Sequence, residues 1–175
     1  MKIKFSIIIS NTSRSISYLK HLKKNNLKPI NIIYLNDKLK NKYSKDLKKK
    51  NYFPDVKIKT FNCKILNSKI VKYLDYCTPK NIIYSGYPGV IIKKKKILQK
   101  KNFIHSHSGK LPNYKGSTTI YYSLLKEKKI YCTTFILDKK LDDGKILLIK
   151  KYNIPKVIKS IDNKYDDEIR AKNLI

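Results

Sequence analysis

The segment from Ile3 to Leu35 constrains the fold more than any other part of the sequence. Residues Ile3–Ile9 form an isoleucine-rich run of the kind found in strands that are buried on both faces. Ser15–Asn25 has apolar residues at helical spacing, and Ile30–Leu35 is a second apolar strand. Because a strand–helix–strand unit joins its two strands in parallel through a right-handed crossover, the chain is predicted to be an α/β protein.

The same alternation continues along the chain. Val56–Phe61 alternates Val, Ile and Thr with Lys, as a half-buried strand should, and Asn67–Cys77 is predicted to be an amphipathic helix in which Cys77 is a small core residue. The remaining predicted strands are Asn81–Ser85, Phe103–His107, Tyr131–Leu137 and Lys145–Lys151, and a further helix is predicted at Ile120–Lys126. The turn after the first strand contains no glycine, so a Rossmann enzyme with a dinucleotide cofactor is disfavoured.

The formal net charge of +29 points at first to a nucleic acid or an anionic membrane as the partner. However, 39 of the 41 basic residues are lysine, and arginine, whose planar fork reads bases and phosphates, occurs only at Arg14 and Arg170. We therefore interpret most of the charge, including the lysine-rich stretch Asp37–Asn51, as compositional bias carried on solvated surfaces. A lysine-rich RNA-binding module remains the alternative from another functional class.

The cysteines and the apolar runs limit the cellular setting. Cys63, Cys77 and Cys132 are widely spaced and form no Cys-x-x-Cys pair, so neither a metal site nor a disulfide framework is predicted. The apolar run at the start is too short for a signal-peptide core, and no run reaches the roughly 18 apolar residues of a membrane helix. We expect a soluble, cytoplasmic protein with neither a bound metal nor a membrane partner.

The stretch Phe103–Gly116, FIHSHSGKLPNYKG, holds two of the three histidines of the chain. If Phe103–His107 is a strand, its period of two places His105 and His107 on the same face. Imidazole is the side chain whose ordinary pKa lies nearest to neutrality, so a paired display at the end of a strand favours proton chemistry. Two histidines that happen to lie in one loop are the plainer alternative.

Two further turns follow predicted strands. Gly86–Ile91, GYPGVI, follows a buried strand and therefore lies at the carboxyl end of the sheet, where ligands of open α/β sheets bind. Its backbone groups are available to a flat, amide-like heterocycle. Asp142 and Asp143, in LDDG, are two of only 12 acidic residues, although Asp-Gly is also ordinary hairpin chemistry.

Together these segments resemble the folate-dependent formyltransferase family, which includes glycinamide ribonucleotide formyltransferases, the catalytic domain of methionyl-tRNA formyltransferases and amino-sugar N-formyltransferases. The signature of that family is a strand ending in Asn-x-His, then Leu-Pro, then an aromatic and basic turn closed by glycine, and later Asp-x-Gly. The stretch Phe103–Gly116 aligns with it without gaps. The resemblance covers roughly Ile3 to Tyr152 and implies an open, mostly parallel, Rossmann-like sheet with helices on both faces.

The resemblance also implies roles for individual residues. His107 takes the position of the catalytic histidine and Asp142 that of the catalytic aspartate, while His105 stands where the family has its asparagine. Lys115 and Gly116 are expected to contact the acceptor substrate. The residues expected to hold the pterin of 10-formyltetrahydrofolate, the formyl donor, through backbone groups are Gly86, Tyr87, Pro88, Gly89, Val90 and Ile91.

The histidine at position 105 is a departure with consequences for the implied mechanism. In the family, an amine attacks the formyl carbonyl, the asparagine and histidine donate hydrogen bonds to the resulting oxyanion, and the aspartate supports the histidine. An imidazole N–H can replace the amide N–H as a donor, each donor being worth ~3–4 kcal/mol. A protonated His105 would depress the pKa of His107, so a neutral His105, a higher pH optimum and an inactive relative all stay open.

The amine that accepts the formyl group is less constrained than the reaction. The GSTTIYYSLL run after the turn favours an amino-sugar nucleotide, with methionyl-tRNA and glycinamide ribonucleotide as alternatives. Residues 1–152 are predicted to form the catalytic domain and 153–175 a C-terminal extension, with no C-terminal β-barrel domain. The stretch Asp162–Ile175 is predicted to begin an amphipathic helix in which Ile169 has no visible partner, so truncation or pairing with a second subunit in a homodimer is expected.

Overall fold

A computed structural model describes residues 3–38, 42–155 and 161–175. The strands of the described ranges are β1 (Phe5–Ser10), β2 (Asn31–Leu35), β3 (Lys57–Phe61), β4 (Asn81–Tyr84), β5 (Asn102–His107), β6 (Ile130–Leu137) and β7 (Gly144–Tyr152). The helices are α1 (Ser13–Lys24), α2 (Lys42–Lys49), α3 (Ser68–Cys77), α4 (Lys95–Lys100), α5 (Thr119–Glu127) and α6 (Asp166–Leu174), the last preceded by a π-helical turn, Ile161–Tyr165. Residues 39–41 of the predicted solvated stretch and 156–160 of the predicted extension lie outside the description.

The strands form one sheet in the order β3-β2-β1-β4-β5-β6-β7, in which β1 to β5 pair in parallel and the β5–β6 and β6–β7 pairings are antiparallel. This confirms the predicted open, mostly parallel α/β sheet. The chain runs outward from β1 through β2 to β3, and then from β4 in the opposite direction. The boundary between β1 and β4 is therefore the switch point of the topology, beside which open sheets bind ligands.

Side chains of the central strands alternate between two apolar layers. In β1, Ile7 and Ile9 pack beside α1, whereas Ile8 packs beside α3 and α4. In β2, Ile32 and Ile33 divide between the same two layers. A sheet buried on both faces therefore explains why these strands are continuous apolar runs and why helices cover both sides.

Three local predictions were wrong. Strand β3, predicted to be half-buried, exposes every residue except the partly buried Phe61, because β3 is the edge of the sheet. Cys77 is exposed, because it is the last residue of α3 and Ile70 and Leu74 fill the core side of that helix. Ile169 does have partners, since only 2% of it is exposed within an apolar cluster. It packs there because α6 lies against α1, β5 and β6.

The division into residues 1–152 and 153–175 stays a prediction. Within the described ranges, none of the helices combines the length and the apolar character that crossing a membrane requires.

Candidate active site

A cavity of about 600 Å³ opens at the carboxyl ends of β1 and β4 and alongside β5. Most of its wall comes from the turn after β1, the loop after β4, two side chains of β5, residues 116–118, the turn between β6 and β7, and the first residues of α6. His105 and His107 both line this cavity, which confirms that they share a face of β5. The cavity therefore lies at the switch point that the strand order defines.

The turn between β1 and α1 places a guanidinium group in the cavity. Thr12 caps α1 by accepting a hydrogen bond from the Ser15 N–H at 3.3 Å, which fixes where the helix begins. Arg14, in the first turn of the helix, then reaches across to the end of β4. Its Nη2 donates to the Gly86 carbonyl at 2.6 Å and its Nε to Ser85 Oγ at 3.3 Å. Burial lowers the pKa of Arg14, and Arg170 contributes in the same direction.

His107 is buried, and its two ring nitrogens face different oxygen atoms. Its Nε2 lies 2.8 Å from the Tyr114 carbonyl oxygen, which can only accept a hydrogen bond, so Nε2 carries a proton. The other nitrogen, Nδ1, faces the carboxylate of Asp142 at 3.7 Å. Burial lowers the pKa of His107 and the Asp142 carboxylate opposes that effect, so this pair governs how much imidazolium the site holds.

Two glycines make this arrangement possible. A Cβ on Gly109 would lie 2.8 Å from His107 Nε2 and 2.9 Å from the Tyr114 carbonyl oxygen, in the space their hydrogen bond occupies. Gly144 has φ +136°, and a Cβ there would lie 1.9 Å from the Ile136 carbonyl oxygen. The glycine of LDDG therefore shapes the turn that presents Asp142 to His107.

The two aspartates of that turn have different surroundings. Asp142 lines the cavity, and its Oδ2 accepts a hydrogen bond from the Gly116 N–H at 2.7 Å. Asp143 is half-buried, with 41% of its side chain exposed, and pairs with Lys115 at 3.2 Å, which lowers the pKa of Asp143. Of the two residues predicted to contact the acceptor, Gly116 lines the cavity and Lys115 does not. Lys115 instead ties the turn after Leu-Pro to the turn between β6 and β7.

His105 is fixed differently from His107. Its Nδ1 lies 2.9 Å from the Tyr84 carbonyl oxygen, and its ring packs edge-to-face against Tyr84 and Phe135. Burial lowers the pKa of His105 well below its ordinary value, and Arg14 and Arg170 lower it further. Of the possibilities left open by the sequence, these surroundings favour a neutral His105.

The loop predicted to hold the donor forms one wall of the cavity. Pro88, Gly89, Val90 and Ile91 line it together with Tyr87, whereas Gly86 does not and serves as the acceptor for Arg14. The Tyr87 hydroxyl donates to the Leu35 carbonyl at 3.0 Å, so this side chain anchors the loop to β2.

The backbone N–H groups of the same loop show whether a flat heterocycle could be bound there. Among the described residues, the Val90 N–H donates to the Tyr87 carbonyl, while no bond is found for the N–H groups of Gly89, Ile91 and Ile92. Free backbone donors beside an apolar wall suit an amide-like heterocycle such as a pterin.

The cavity residues that were not singled out from the sequence as functional include Arg14, Asp166 and Arg170. Arg170 Nε pairs with Asp166 at 2.9 Å, and the same guanidinium donates to the Ser106 carbonyl at 3.0 Å and to Ser108 Oγ at 2.8 Å. It thereby fastens α6 to the end of β5. The signal was present in the composition, because the only two arginines among 41 basic residues both line the cavity.

The cavity wall contains no evident metal site. Within residues 3–38, 42–155 and 161–175, no group of three or more His, Cys, Asp or Glu side chains is arranged to hold a metal ion.

The chain is similar in sequence to known formyltransferases. A family model described as Formyl transferase matches residues 2–172. Methionyl-tRNA formyltransferase from Thermodesulfovibrio yellowstonii is 33% identical over 92 residues, which are 52% of this chain and 30% of that protein. Methionyl-tRNA formyltransferase from Finegoldia magna is 30% identical over 92 residues, which are 51% and 29% of the two chains. The similar region thus spans less than a third of the length of these relatives.

Solved structures with the same fold cover nearly the whole chain. Glycinamide ribonucleotide transformylase 1 from Geobacillus kaustophilus superposes with a TM-score of 0.68 at 14% identity, covering 98% of this chain and 94% of that one. A sugar N-formyltransferase from a Shewanella species gives a TM-score of 0.64 at 15% identity, covering 98% and 66%. At these identities the likeness concerns the fold.

Proposed function

Because the chain belongs to the formyl transferase family, we propose that it transfers a formyl group from 10-formyltetrahydrofolate to a primary amine. The observation that carries the proposal is the buried pair of His107 Nδ1 and Asp142 Oδ2, 3.7 Å apart on the wall of the cavity. When bound, the donor supplies a formyl carbon that is open to attack by an amine. Every other requirement of the reaction falls to side chains and backbone groups of this chain.

His107 stabilises the charge that develops during transfer. Its Nε2–H is committed to the Tyr114 carbonyl, so in the imidazolium form the remaining donor is the Nδ1–H, which lies on the side of Asp142 and the cavity. A donor aimed at a developing oxyanion contributes about 3–4 kcal/mol to the lowering of the barrier. Asp142 sustains this role because its carboxylate raises the pKa of His107 against the effect of burial.

The loop Tyr87–Ile92 holds the donor. Its N–H groups and its apolar side chains form the wall described above, and Tyr87 fixes it to β2. The roles of Pro88, Gly89, Val90 and Ile91 follow from that placement. Gly86 does not line the cavity but accepts a hydrogen bond from Arg14, which does.

For the acceptor, we propose an amino-sugar nucleotide, as the sequence after the Leu-Pro turn predicts. Gly116, Ser117 and Thr118, from that run, line the cavity. Methionyl-tRNA is the second candidate, and it is supported by the names of the curated relatives. Both acceptors present a primary amine, so one assay compares them.

The test is to incubate the protein with 10-formyltetrahydrofolate and each of four amine classes, and to measure release of tetrahydrofolate. The panel contains 3-amino and 4-amino dideoxy sugar nucleotides, glycinamide ribonucleotide and methionyl-tRNA. Turnover with one amine identifies the acceptor. Absence of turnover with all of them, together with RNA affinity that falls steeply with salt, would instead favour the lysine-rich RNA-binding alternative.

A matched pair of variants tests the residue assignment. Asp142→Asn keeps an oxygen for the Gly116 N–H but removes the negative charge, so the pKa of His107 falls further. The imidazolium fraction at neutral pH drops about tenfold for each pH unit by which that pKa falls. The basic limb of the pH–rate profile should therefore move to lower pH. Asp143→Asn removes a charge from the same turn but outside the cavity, and should leave that limb in place. Equal behaviour of the two variants would contradict the assignment.

A further inference from the structure

His105 lines the cavity, and one of its ring nitrogens, Nε2, has neither a proton nor a hydrogen-bond partner among the described residues. Its Nδ1 lies 2.9 Å from the Tyr84 carbonyl oxygen, 21 residues away in sequence, and a carbonyl oxygen only accepts hydrogen bonds. The Nδ1 atom therefore carries the proton of the neutral ring, which leaves Nε2 as a lone pair. Among the described residues, Nε2 has no hydrogen-bond partner, and His105 lines the cavity.

The surroundings of His105 keep that lone pair free. The ring is packed between Tyr84 and Phe135, with centroid distances of 6.3 and 5.9 Å, so it is held in one orientation. The charged and titratable groups that face it are Arg14 from α1, Arg170 from α6 and His107 from β5, and each of them opposes a second proton. The neutral form with Nε2 unprotonated is thus the resting state.

An amide side chain at this position would donate a hydrogen bond from its NH₂ group, whereas His105 in this tautomer donates only to Tyr84, and its Nε2 can only accept one. Replacing the asparagine expected at position 105 by this histidine therefore reverses the direction of the hydrogen bond. The lone pair lies on the same face of β5 as His107, one repeat of roughly 6.6 to 6.8 Å along the strand. Both rings line the same cavity, so a group bound there can face both of them.

We propose that His105 Nε2 is the base that accepts the proton lost by the acceptor amine, while His107 alone donates to the oxyanion. This assignment rests on the proposed formyl transfer. The amine nitrogen forms a bond to the formyl carbon and its N–H proton passes to His105 Nε2. The bond from that carbon to N10 of the donor then breaks, and the proton is returned to N10. Arg14 and Arg170 favour this return because they destabilise the protonated ring.

Two variants distinguish a proton acceptor at position 105 from a hydrogen-bond donor. Removal of a catalytic base slows a reaction by about 10²–10⁴-fold, so His105→Ala should lose that much kcat/KM with the amine that the wild type uses. His105→Asn restores the amide donor without a base and should be comparably slow. Tetrahydrofolate should still bind both variants, which would confirm that they fold. Because the chain has 14 tyrosines and no tryptophan, quenching of tyrosine fluorescence measures this binding.

Chemical rescue gives the decisive measurement. Neutral 1-methylimidazole accepts a proton but has no N–H, whereas acetamide donates from N–H but is not a base. Turnover of His105→Ala should rise with 1-methylimidazole and not with acetamide, and the wild type should respond to neither. Rescue by acetamide alone, or wild-type activity in His105→Asn, would overturn the inference while leaving formyl transfer intact. If the wild type turns over no amine, it is the proposed function that fails.

Discussion

The wall of the cavity and the rest of the molecular surface are built from different residue types. Among the described residues, the wall contains five aspartates, both arginines, two histidines and one lysine. The whole chain, in contrast, has 12 acidic residues and 39 lysines. A site in which five acidic side chains outnumber three basic ones is therefore set into a strongly basic protein.

This difference teaches where composition is informative. On the solvated surface, lysine serves any role that needs only charge and solubility, so a genome that favours lysine codons can use it freely. In the cavity, Arg170 bonds to Asp166, the Ser106 carbonyl and Ser108 Oγ at once, which needs the planar fork of a guanidinium. The rare residue types of a biased chain thus mark positions where geometry matters.

A large effect on catalysis is expected from His107→Ala. Loss of the donor that faces the oxyanion should reduce kcat by about 10²–10³-fold, with binding of tetrahydrofolate retained. His21→Ala is the matched control, because His21 is the remaining histidine and its Nδ1 bonds only to the Ser17 carbonyl within α1. Steady-state kinetics of both variants measure the effect. An unchanged kcat in His107→Ala would contradict the assignment of His107 as a catalytic residue.

The next effect is on stability and uses two ion pairs of the same helix. Arg170–Asp166 and Lys172–Glu168 are both i,i+4 pairs of α6, but the first is 14% and 21% exposed and the second 51% and 45%. Arg170→Met leaves a half-buried carboxylate without its partner and should cost up to about 3 kcal/mol of unfolding free energy. Lys172→Met should change it by less than about 0.5 kcal/mol.

Urea unfolding of the two variants at neutral pH measures this difference. Similar losses in both would mean that the cavity pair contributes no more than a surface pair.

A smaller effect of opposite sign is expected from Asp167 on the cavity wall. Burial raises the pKa of Asp167 to about 6, and its Oδ2 has no hydrogen-bond partner among the described residues. Because the folded pKa lies above the unfolded one, its contribution to stability is present at low pH and is lost as pH rises through about 6. Asp167→Asn should therefore stabilise the protein at pH 7.5 by about 1–3 kcal/mol and have little effect near pH 3.

The pH dependence is what separates this explanation from a general gain in packing. Unfolding midpoints measured at both pH values should differ between Asp167→Asn and wild type only at the higher one. A gain of equal size at both would contradict it.

The parts of the fold that the sequence predicted are those set by local pattern. Central strands were recognisable because burial on both faces requires apolar runs, and His107 and Asp142 because they belong to an ordered motif. Contacts between distant segments were not predictable in the same way. Ile169 lacked a visible partner because the surface that covers it is assembled from α5 and β6. Arg14 and Arg170 meet in one cavity although they lie near opposite ends of the chain.

His105 shows the same limit at the level of a single atom. The motif identified the position and the substitution, and an imidazole donor was a reasonable expectation. Whether the ring donates or accepts depends on the Tyr84 carbonyl, which belongs to a neighbouring strand. Hydrogen-bond direction is a property of the assembled sheet, so it could not be obtained from the residue types alone.

The smallest effect should come from the run Lys93–Lys96, which is fully on the surface. Replacing all four lysines by glutamine removes four charges without disturbing the core, so the unfolding free energy should change by no more than about 0.5 kcal/mol for each substitution. The value of kcat should be unchanged because none of these residues lines the cavity. If the lysines steer an anionic substrate, its KM should rise at low salt and return to the wild-type value at high salt, since screening removes long-range attraction. A loss of kcat that does not depend on salt would show that these lysines contribute to catalysis and do not belong with the rest of the surface.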